Sequence, residues 1–474
     1  MNSFDLLIIG GGINGAAIAR EAALRGLSVL LVERDDLAQH TSSASSKLIH
    51  GGLRYLEYGE VRLVRESLRE REILLSTAPH IVRPLRFVLP HRRGMRPWWM
   101  LRAGLKLYDL LAGQTSLPRS RRTGRGDTDL LAPLRGIARA AVYHDAWVDD
   151  ARLVVLNALA AAEAGAQIAT RTALLSARRD GAAWRASLSD GREVGAATIV
   201  NAAGPWVADV LGAKLGRNAA SRVRLIKGSH IVVPRLYQGE HAYILQQPDG
   251  RVVFALPYGP HNLIGTTEVV VERPDDPAIS AEETDYLCAA VNGWFVRQAH
   301  PGQVIWSYSG TRALHDDGAT EAKAVTRDYR LELDGSPGAK LLSVFGGKIT
   351  TARALAAEAL QKLGAPGRSA TAEMPLPGGE TIDVPRYDWL ERDVLSRLRA
   401  AYGSRLAALL SSARSPAELG RHFGAGLYEA EVDYLRRVEF ARTADDILWR
   451  RTKLGLVMRA AEREVLSDYL SSQH

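Results

Sequence analysis

Glycines at positions 10, 12 and 15 follow directly on an apolar run, residues 5–9 (DLLII), and open an alanine-rich stretch that reaches Arg25. Glu33 then closes a second apolar run, residues 27–33 (LSVLLVE). The order strand, G-x-G-x-x-G turn, helix, strand, acid is the fingerprint of a dinucleotide-binding Rossmann unit. The first glycine permits the tight turn, the second lets a pyrophosphate approach the backbone, and the third allows close helix packing; the helix N terminus offers amide donors to phosphate. Glu33, 18 residues beyond Gly15, is placed to accept from ribose hydroxyls. Its charge disfavours a 2′-phosphate, so NADP is the least suitable dinucleotide. These residues leave NAD and FAD open. The N-terminal position of the motif and a second donor-rich segment at 41–47 (TSSASSK), with Ser42, Ser43, Ser46 and Lys47, tilt the reading toward FAD.

The chain has 474 residues, 46% hydrophobic and 24% charged, enough for two or three units that each bury a core. Its one cysteine, Cys288, excludes an internal disulfide and thiolate-held clusters, and no metal centre is expected. No basic region precedes the first apolar run and no window of about 18 residues is apolar and uncharged, so neither a cleaved signal nor a spanning helix is expected. The expected location is the cytoplasm.

Residues 151–164 read as helix and 197–201 (ATIVN) as a buried strand returning to the first unit, which makes that unit discontinuous. Residues 223–233, 242–246, 251–256 and 262–267 carry strand character with turn residues between them, predicting an antiparallel sheet. A Gly/Pro/Ser/Thr-rich stretch, 364–379, reads as a linker, and helical spacing resumes from Tyr387. The expected division is a nucleotide unit of 1–75, 140–222 and 335–365, a basic insertion at 76–139, a cap at 223–334, and a helical C-terminal domain at 380–474.

Residues 83–125 hold eleven Arg or Lys against one acid, Asp109, more positive charge than the net +8 of the whole chain. Within them WWMLRAGLKLYDLLAG (98–113) puts Arg102, Lys106 and Asp109 at helical spacing with Trp, Met, Leu and Tyr around the rest. That pattern predicts an interfacial helix on an anionic lipid surface. No nucleic-acid-binding motif accompanies the charge, so nucleic acid is not an expected partner.

Longer motifs narrow the reading further. TSSASSKLIHGGLRYLE (41–57), WVDDARLV (147–154), NAAGPW (201–206), RLIKGSHIVVP (224–234), IGTTE (264–268), SGTRAL (309–314), TRDY (326–329), LLSVFGGKITT (341–351) and DDILWRRTK (445–453) resemble the bacterial aerobic, FAD-dependent glycerol-3-phosphate dehydrogenases over nearly the whole chain. The resemblance implies a multidomain α/β and α+β fold: a glutathione-reductase-type FAD-binding Rossmann domain, an antiparallel β-sheet cap and an all-α C-terminal domain. It implies an oxidoreductase of sn-glycerol 3-phosphate that reduces FAD and passes electrons to a membrane quinone. The protein would then sit peripherally on the inner face of the plasma membrane. A homodimer is compatible with the sequence, and an oxidase returning electrons to oxygen is the alternative flavoenzyme.

By the same resemblance Arg54, Tyr55, Arg312, Arg327 and Thr267 would bind substrate. Planar arginine donors suit a phosphate dianion. Gly10, Gly12, Ile13, Asn14, Gly15, Glu33, Arg34, Ser42, Ser43, Ser46, Lys47, His50, Gly51, Gly52, Ala202 and Gly204 would hold the cofactor, with Gly346, Gly347, Lys348 and Thr351 as a second contact on the flavin. Oxidising an alcohol by hydride transfer needs a proton acceptor and a cation beside the developing alkoxide. His230 is the first candidate for the acceptor, with Arg312 and Lys348 as the cations. Water is the alternative acceptor if Arg312 depresses the pKa of the alcohol. Ala313 stands where the family commonly has proline.

Overall fold

A computed structural model describes residues 2–217, 223–315, 328–335, 338–381, 385–411 and 413–472. The first sheet is built on the strand Asn2–Ile9, flanked in parallel by Val29–Val32 and Glu193–Asn201. It continues to Gln167–Ala169 on one side and to Lys340–Phe345 and the antiparallel edge strand Arg330–Asp334 on the other. Its central strands are apolar on both faces because both are covered. Leu6, Ile8, Val29 and Leu31 pack under the helices Ile13–Leu24, Asp150–Glu163 and Ala352–Leu363. Leu7, Ile9, Leu30 and Val32 face Trp184 and Leu188 of the hairpin formed by Leu174–Asp180 and Ala183–Leu188.

The second sheet has ten strands and is largely antiparallel. Its long central strand, Val223–Pro234, pairs with Trp306–His315 on one side and His261–Gly265 on the other. Ala313 lies within that ladder opposite Leu225, so the residue that replaces a family proline continues the strand.

Two expected boundaries move. Ala140–Val148, assigned to the nucleotide unit, hydrogen-bonds along Val82–Pro90 in the second sheet, and Val82–Pro90 in turn pairs in parallel with Ala242–Gln246. The basic stretch is therefore no separate insertion, because its first strand completes the cap sheet. Conversely Arg330–Asp334, assigned to the cap, is the edge of the first sheet.

The C-terminal domain has its own core, gathered from the helices Arg392–Tyr402, Glu429–Val438 and Ala460–Ser471. A two-stranded hairpin, His422–Gly424 with Leu427–Tyr428, makes it predominantly rather than wholly helical. Buried ion pairs fasten it to the nucleotide unit: Arg152 with Glu439, and Arg451 with Asp36 at 2.6 Å. The stretch read as a linker is docked as well, with Arg20 donating to Met374 O at 2.7 Å and Thr371 to Glu21 at 2.7 Å.

Candidate active site

The two sheets meet over one cleft of about 770 Å³, lined from Gly12, Glu33 and Arg34 at one end to Tyr55, His230, Arg312 and Lys348 at the other. At the first end the chain turns sharply at Gly10, whose φ of +109° favours glycine. A Cβ there would lie 2.6 Å from Ala202 O, and one at Gly15 would lie 1.9 Å from Gly10 O, so strand and helix touch backbone to backbone. Gly12 leaves the N-cap of the Ile13–Leu24 helix without a side chain of its own, and Ser42 Oγ reaches over to accept from Ile13 N at 2.9 Å. Ser42 thus stands over the N terminus of this helix, the end that suits an anion.

Glu33 lines the cleft and already accepts from Gly11 N (2.6 Å) and Asp35 N (2.9 Å). Burial raises its pKa, and those two amides oppose the rise. Beside it the Arg34 guanidinium lies 4.1 Å over the Trp206 ring, and His40 meets the same ring edge-on at 4.7 Å. Trp206 ends the NAAGPW motif, and its place on the cleft wall follows from the fold rather than from the motif itself.

Gly346 and Gly347 both have positive φ, and Asn14 Nδ2 donates to Gly346 O at 3.1 Å, so the second glycine turn is tied to the first helix. Asn14 Oδ1 is buried without a hydrogen-bond partner among the described residues, and Asn14 lines the cleft, as a cofactor-facing acceptor would. These features fit FAD: two positive-φ glycine turns, a helix start whose N-cap residue is a glycine, a buried acid for the ribose and a buried acceptor that no described protein group satisfies. Ala202 and Gly204 also line the cleft.

At the other end four separated segments converge. His230 is 2% exposed, bonded through Nε2 to Ser46 Oγ at 2.9 Å, while its Nδ1 has no hydrogen-bond partner among the described residues. Burial, followed by the charges of Lys47 and Arg312, holds its pKa well below the ordinary value, so the ring is neutral at neutral pH. Arg312 crosses the second sheet through space that only glycine leaves, since a Cβ on Gly228 would lie 2.5 Å from Arg312 Nη2. Glu268 lies 3.9 Å from that guanidinium. Lys348 Nζ stands 3.9 Å over the Tyr55 ring, and Thr266, His50 and Phe254 complete the wall.

Several expected roles change. Lys47 is buried and bonds both carboxylate oxygens of Asp150 at 2.9 Å and Ser43 O at 2.9 Å; its ammonium balances a buried acid rather than facing a phosphate. The Ser43 hydroxyl donates back to His40 O. Gly51 N donates to Tyr108 Oη at 2.8 Å, and a Cβ on Gly51 would strike that hydroxyl and Leu68, so its smallness serves packing. Gly52 makes room for the Tyr55 ring. Thr267 gives its hydroxyl to Glu283 at 2.6 Å behind the wall, so of the two neighbouring threonines it is Thr266 that lines the cleft. Thr351 is buried and Thr350 takes its place on the wall. Arg54 is half-buried on the turn Leu53–Tyr58 and is not among the residues that line the cleft. Arg327 falls outside the described residues.

The helix Trp98–Leu111 lies on the outside of the second sheet. Leu105 and Tyr108 face inward, whereas Trp99 (68% exposed), Met100, Leu107 and Leu110 (75%) face outward among Arg102 and Lys106. Asp109, expected on the cationic face, instead caps Ser120 through its backbone N and hydroxyl. No described helix is long and apolar enough to cross a membrane.

Comparison with known proteins agrees with this geometry. Residues 5–360 match the FAD dependent oxidoreductase family, and residues 369–471 match the C-terminal domain of alpha-glycerophosphate oxidase. A glycerol-3-phosphate dehydrogenase of Pseudomonas aeruginosa is 51% identical, covering 99% of this chain and 96% of that protein. A D-erythritol 1-phosphate dehydrogenase of Brucella abortus is 47% identical over 99% of this chain and 98% of its own. Among solved structures, the glycerol-3-phosphate dehydrogenase of Bacillus halodurans in complex with FAD superimposes with a TM-score of 0.73 at 25% identity, covering 99% of this chain and 94% of that one.

Proposed function

The chain belongs to the FAD-dependent oxidoreductase family, and on that premise we propose that it oxidises the C2 hydroxyl of sn-glycerol 3-phosphate to dihydroxyacetone phosphate and delivers the electrons to a membrane quinone. The observation that carries the reading is the convergence of a neutral buried imidazole and two cationic side chains at one end of a cleft whose other end is built for a dinucleotide. When bound, FAD supplies the hydride acceptor.

Arg312 offers planar donors to the substrate's phosphate or to the oxygen on which negative charge develops, and Lys348 adds a second positive charge. With Nε2–H donating to Ser46 Oγ, the Nδ1 of His230 keeps a lone pair and takes up the hydroxyl proton as the hydride leaves carbon. The carbon thereby gives up a hydride, which carries both electrons to the flavin, the oxygen gives up a proton to His230, and a ketone results. Tyr55 and Thr266 border the space in which the polyol lies, and Arg54 and Arg327 are proposed to add to the attraction of the phosphate.

The outward face of Trp98–Leu111 supports a peripheral seat on an anionic bilayer at the inner face of the plasma membrane. Each basic residue near such a surface contributes about 1 kcal/mol. Vesicles containing phosphatidylglycerol should float the native protein. Replacing Trp99 and Leu110 by Ser, and Arg102 and Lys106 by Glu, should abolish flotation while leaving turnover with a soluble dye acceptor intact. Unchanged flotation would remove this helix as the anchor.

The substrate reading is tested by turnover with a short-chain quinone on sn-glycerol 3-phosphate and on D-erythritol 1-phosphate side by side. The proposal expects kcat/KM to favour the glycerol ester; the 47% identical erythritol-phosphate relative makes the reverse preference the specific competing result. Rapid peroxide formation without quinone would instead identify an oxidase, the activity named for the C-terminal domain match.

A further inference from the structure

A line of four rings connects the proposed proton acceptor to the C-terminal domain. His230 and Tyr308 sit directly opposite each other on adjacent antiparallel strands, and their rings stack at 4.8 Å with 16° between planes. Trp306, two residues back along the same strand and opposite Val232, leans on Tyr308 at 5.0 Å. Trp449, from the C-terminal domain, stacks on Trp306 at 4.7 Å with 17° between planes. Cross-strand and stacked aromatic contacts of this kind restrict ring orientation as well as burying area.

Both ends of the line are held. At the His230 end, Tyr308 Oη donates to Ser45 O at 2.8 Å and Ser46 holds the imidazole. At the far end the Trp449 indole rests on the backbone of Gly455, where a Cβ would come within 2.6 Å of the ring. Trp449 rides on a wide turn, Asp446–Arg451, of the π type that recurs at functional sites. That turn is anchored beside the cleft at three places. Arg450 and Arg451 bond Asp36 at 2.5 and 2.6 Å, three residues after Glu33. Asp446 bonds Arg171 at 2.7 Å, next to the cleft residue Thr172. Just beyond the turn, Lys453 bonds Asp149 at 3.1 Å, next to the acid that holds Lys47.

We propose that Trp449 is a positioning residue for the oxidation: through Trp306 and Tyr308 it holds the His230 imidazole in its working orientation, which makes the C-terminal domain part of the active site's rigid frame. The proposal rests on the reading of His230 as proton acceptor. A small displacement of a catalytic group is costly because proton transfer needs near-contact geometry, and the rings that would otherwise take up such a displacement are packed in series.

The test is single-turnover flavin reduction by sn-glycerol 3-phosphate under anaerobic conditions, with full-length holoenzymes of W449L, W449F, H230N and W449L/H230N at verified FAD content. W449L is expected to slow reduction at saturating substrate about 10- to 100-fold while the half-saturating concentration moves less than about twofold. W449F, which keeps a stacking ring, is expected to stay within about threefold of the native rate. In the H230N background W449L should cause no further loss, since the two residues act on one step. If W449L does not retain FAD, W449M, which fills the space without a planar ring, is measured in its place with the same expectations. A native reduction rate in the leucine or methionine variant, or losses that multiply in the double variant, would overturn the proposal. A native rate in H230N would instead sink the proton-acceptor reading, and this proposal with it.

Discussion

The two ends of the cleft are built on opposite plans. At the nucleotide end, 24 consecutive residues from Gly10 to Glu33 supply turn, helix and acid, and backbone amides already satisfy the acid. At the oxidation end, Tyr55, His230, Arg312 and Lys348 arrive from four separated segments, and His230 keeps a buried nitrogen that no described protein group satisfies. The first end holds a rigid ligand part by shape and backbone. On the proposed mechanism the second end concentrates charge and a lone pair where bonds change, and on the proposed role of Trp449 it relies on distant support to do so. The nucleotide end should therefore fail all at once when its backbone contacts are broken, whereas the oxidation end should lose rate while keeping the cofactor.

The sharpest way to break that contrast is Gly15→Val. A branched side chain at a position where even a Cβ would lie 1.9 Å from Gly10 O must part the helix from the strand, and the purified protein is expected to contain no flavin by absorbance. Retained stoichiometric FAD would show that the turn is not the pyrophosphate seat. Next in size, Arg312→Ala should bind FAD normally and lower kcat/KM for sn-glycerol 3-phosphate by about 10²- to 10³-fold, the range found when one charge-stabilising donor is removed. A variant that lost flavin and rate together would erase the distinction between the two ends.

Lys47→Met separates structure from cofactor binding within a single motif. It leaves Asp150 buried without its ammonium, which is expected to lower stability by about 3–5 kcal/mol in denaturant titration. FAD affinity per folded molecule should change little; a selective loss of FAD from a stable protein would restore Lys47 as a cofactor donor. The smallest effect concerns pH. Burial lowers the pKa of His80 and His241 to about 4 and that of His230 well below its ordinary value, so the folded protein keeps three imidazoles neutral that the unfolded chain protonates near 6.5. The unfolded state then binds more protons below that pH, and stability falls as pH drops from about 6.5 toward 4. Tm is expected to be lower at pH 5 than at pH 7. A higher Tm at pH 5 would contradict the neutral burial of these rings.

The same contrast explains what could be read from the sequence. Strand, turn, helix and acid lie within one short window, so local periodicity and glycine spacing were enough to place the nucleotide end. The oxidation end has no such window: its residues were named through motif resemblance, and spacing alone could not tell Thr266 from Thr267, or show that Lys47 faces Asp150. Those distinctions depend on which way a loop residue points and on a partner about a hundred residues away. The sheet membership of Ala140–Val148 was missed for a related reason, since its run of apolar residues suits either sheet and only its pairing with Val82–Pro90 decides. Trp449 falls inside the motif DDILWRRTK, but nothing local distinguishes it from its neighbours there, because it meets its partner ring across two domains.

The most direct test of the account is the anaerobic absorption spectrum of the purified protein before and after sn-glycerol 3-phosphate, followed by a short-chain quinone. The account predicts a bound flavin that bleaches on adding the phosphate ester and recovers on adding quinone. A bound flavin whose spectrum does not change on adding the ester would contradict it.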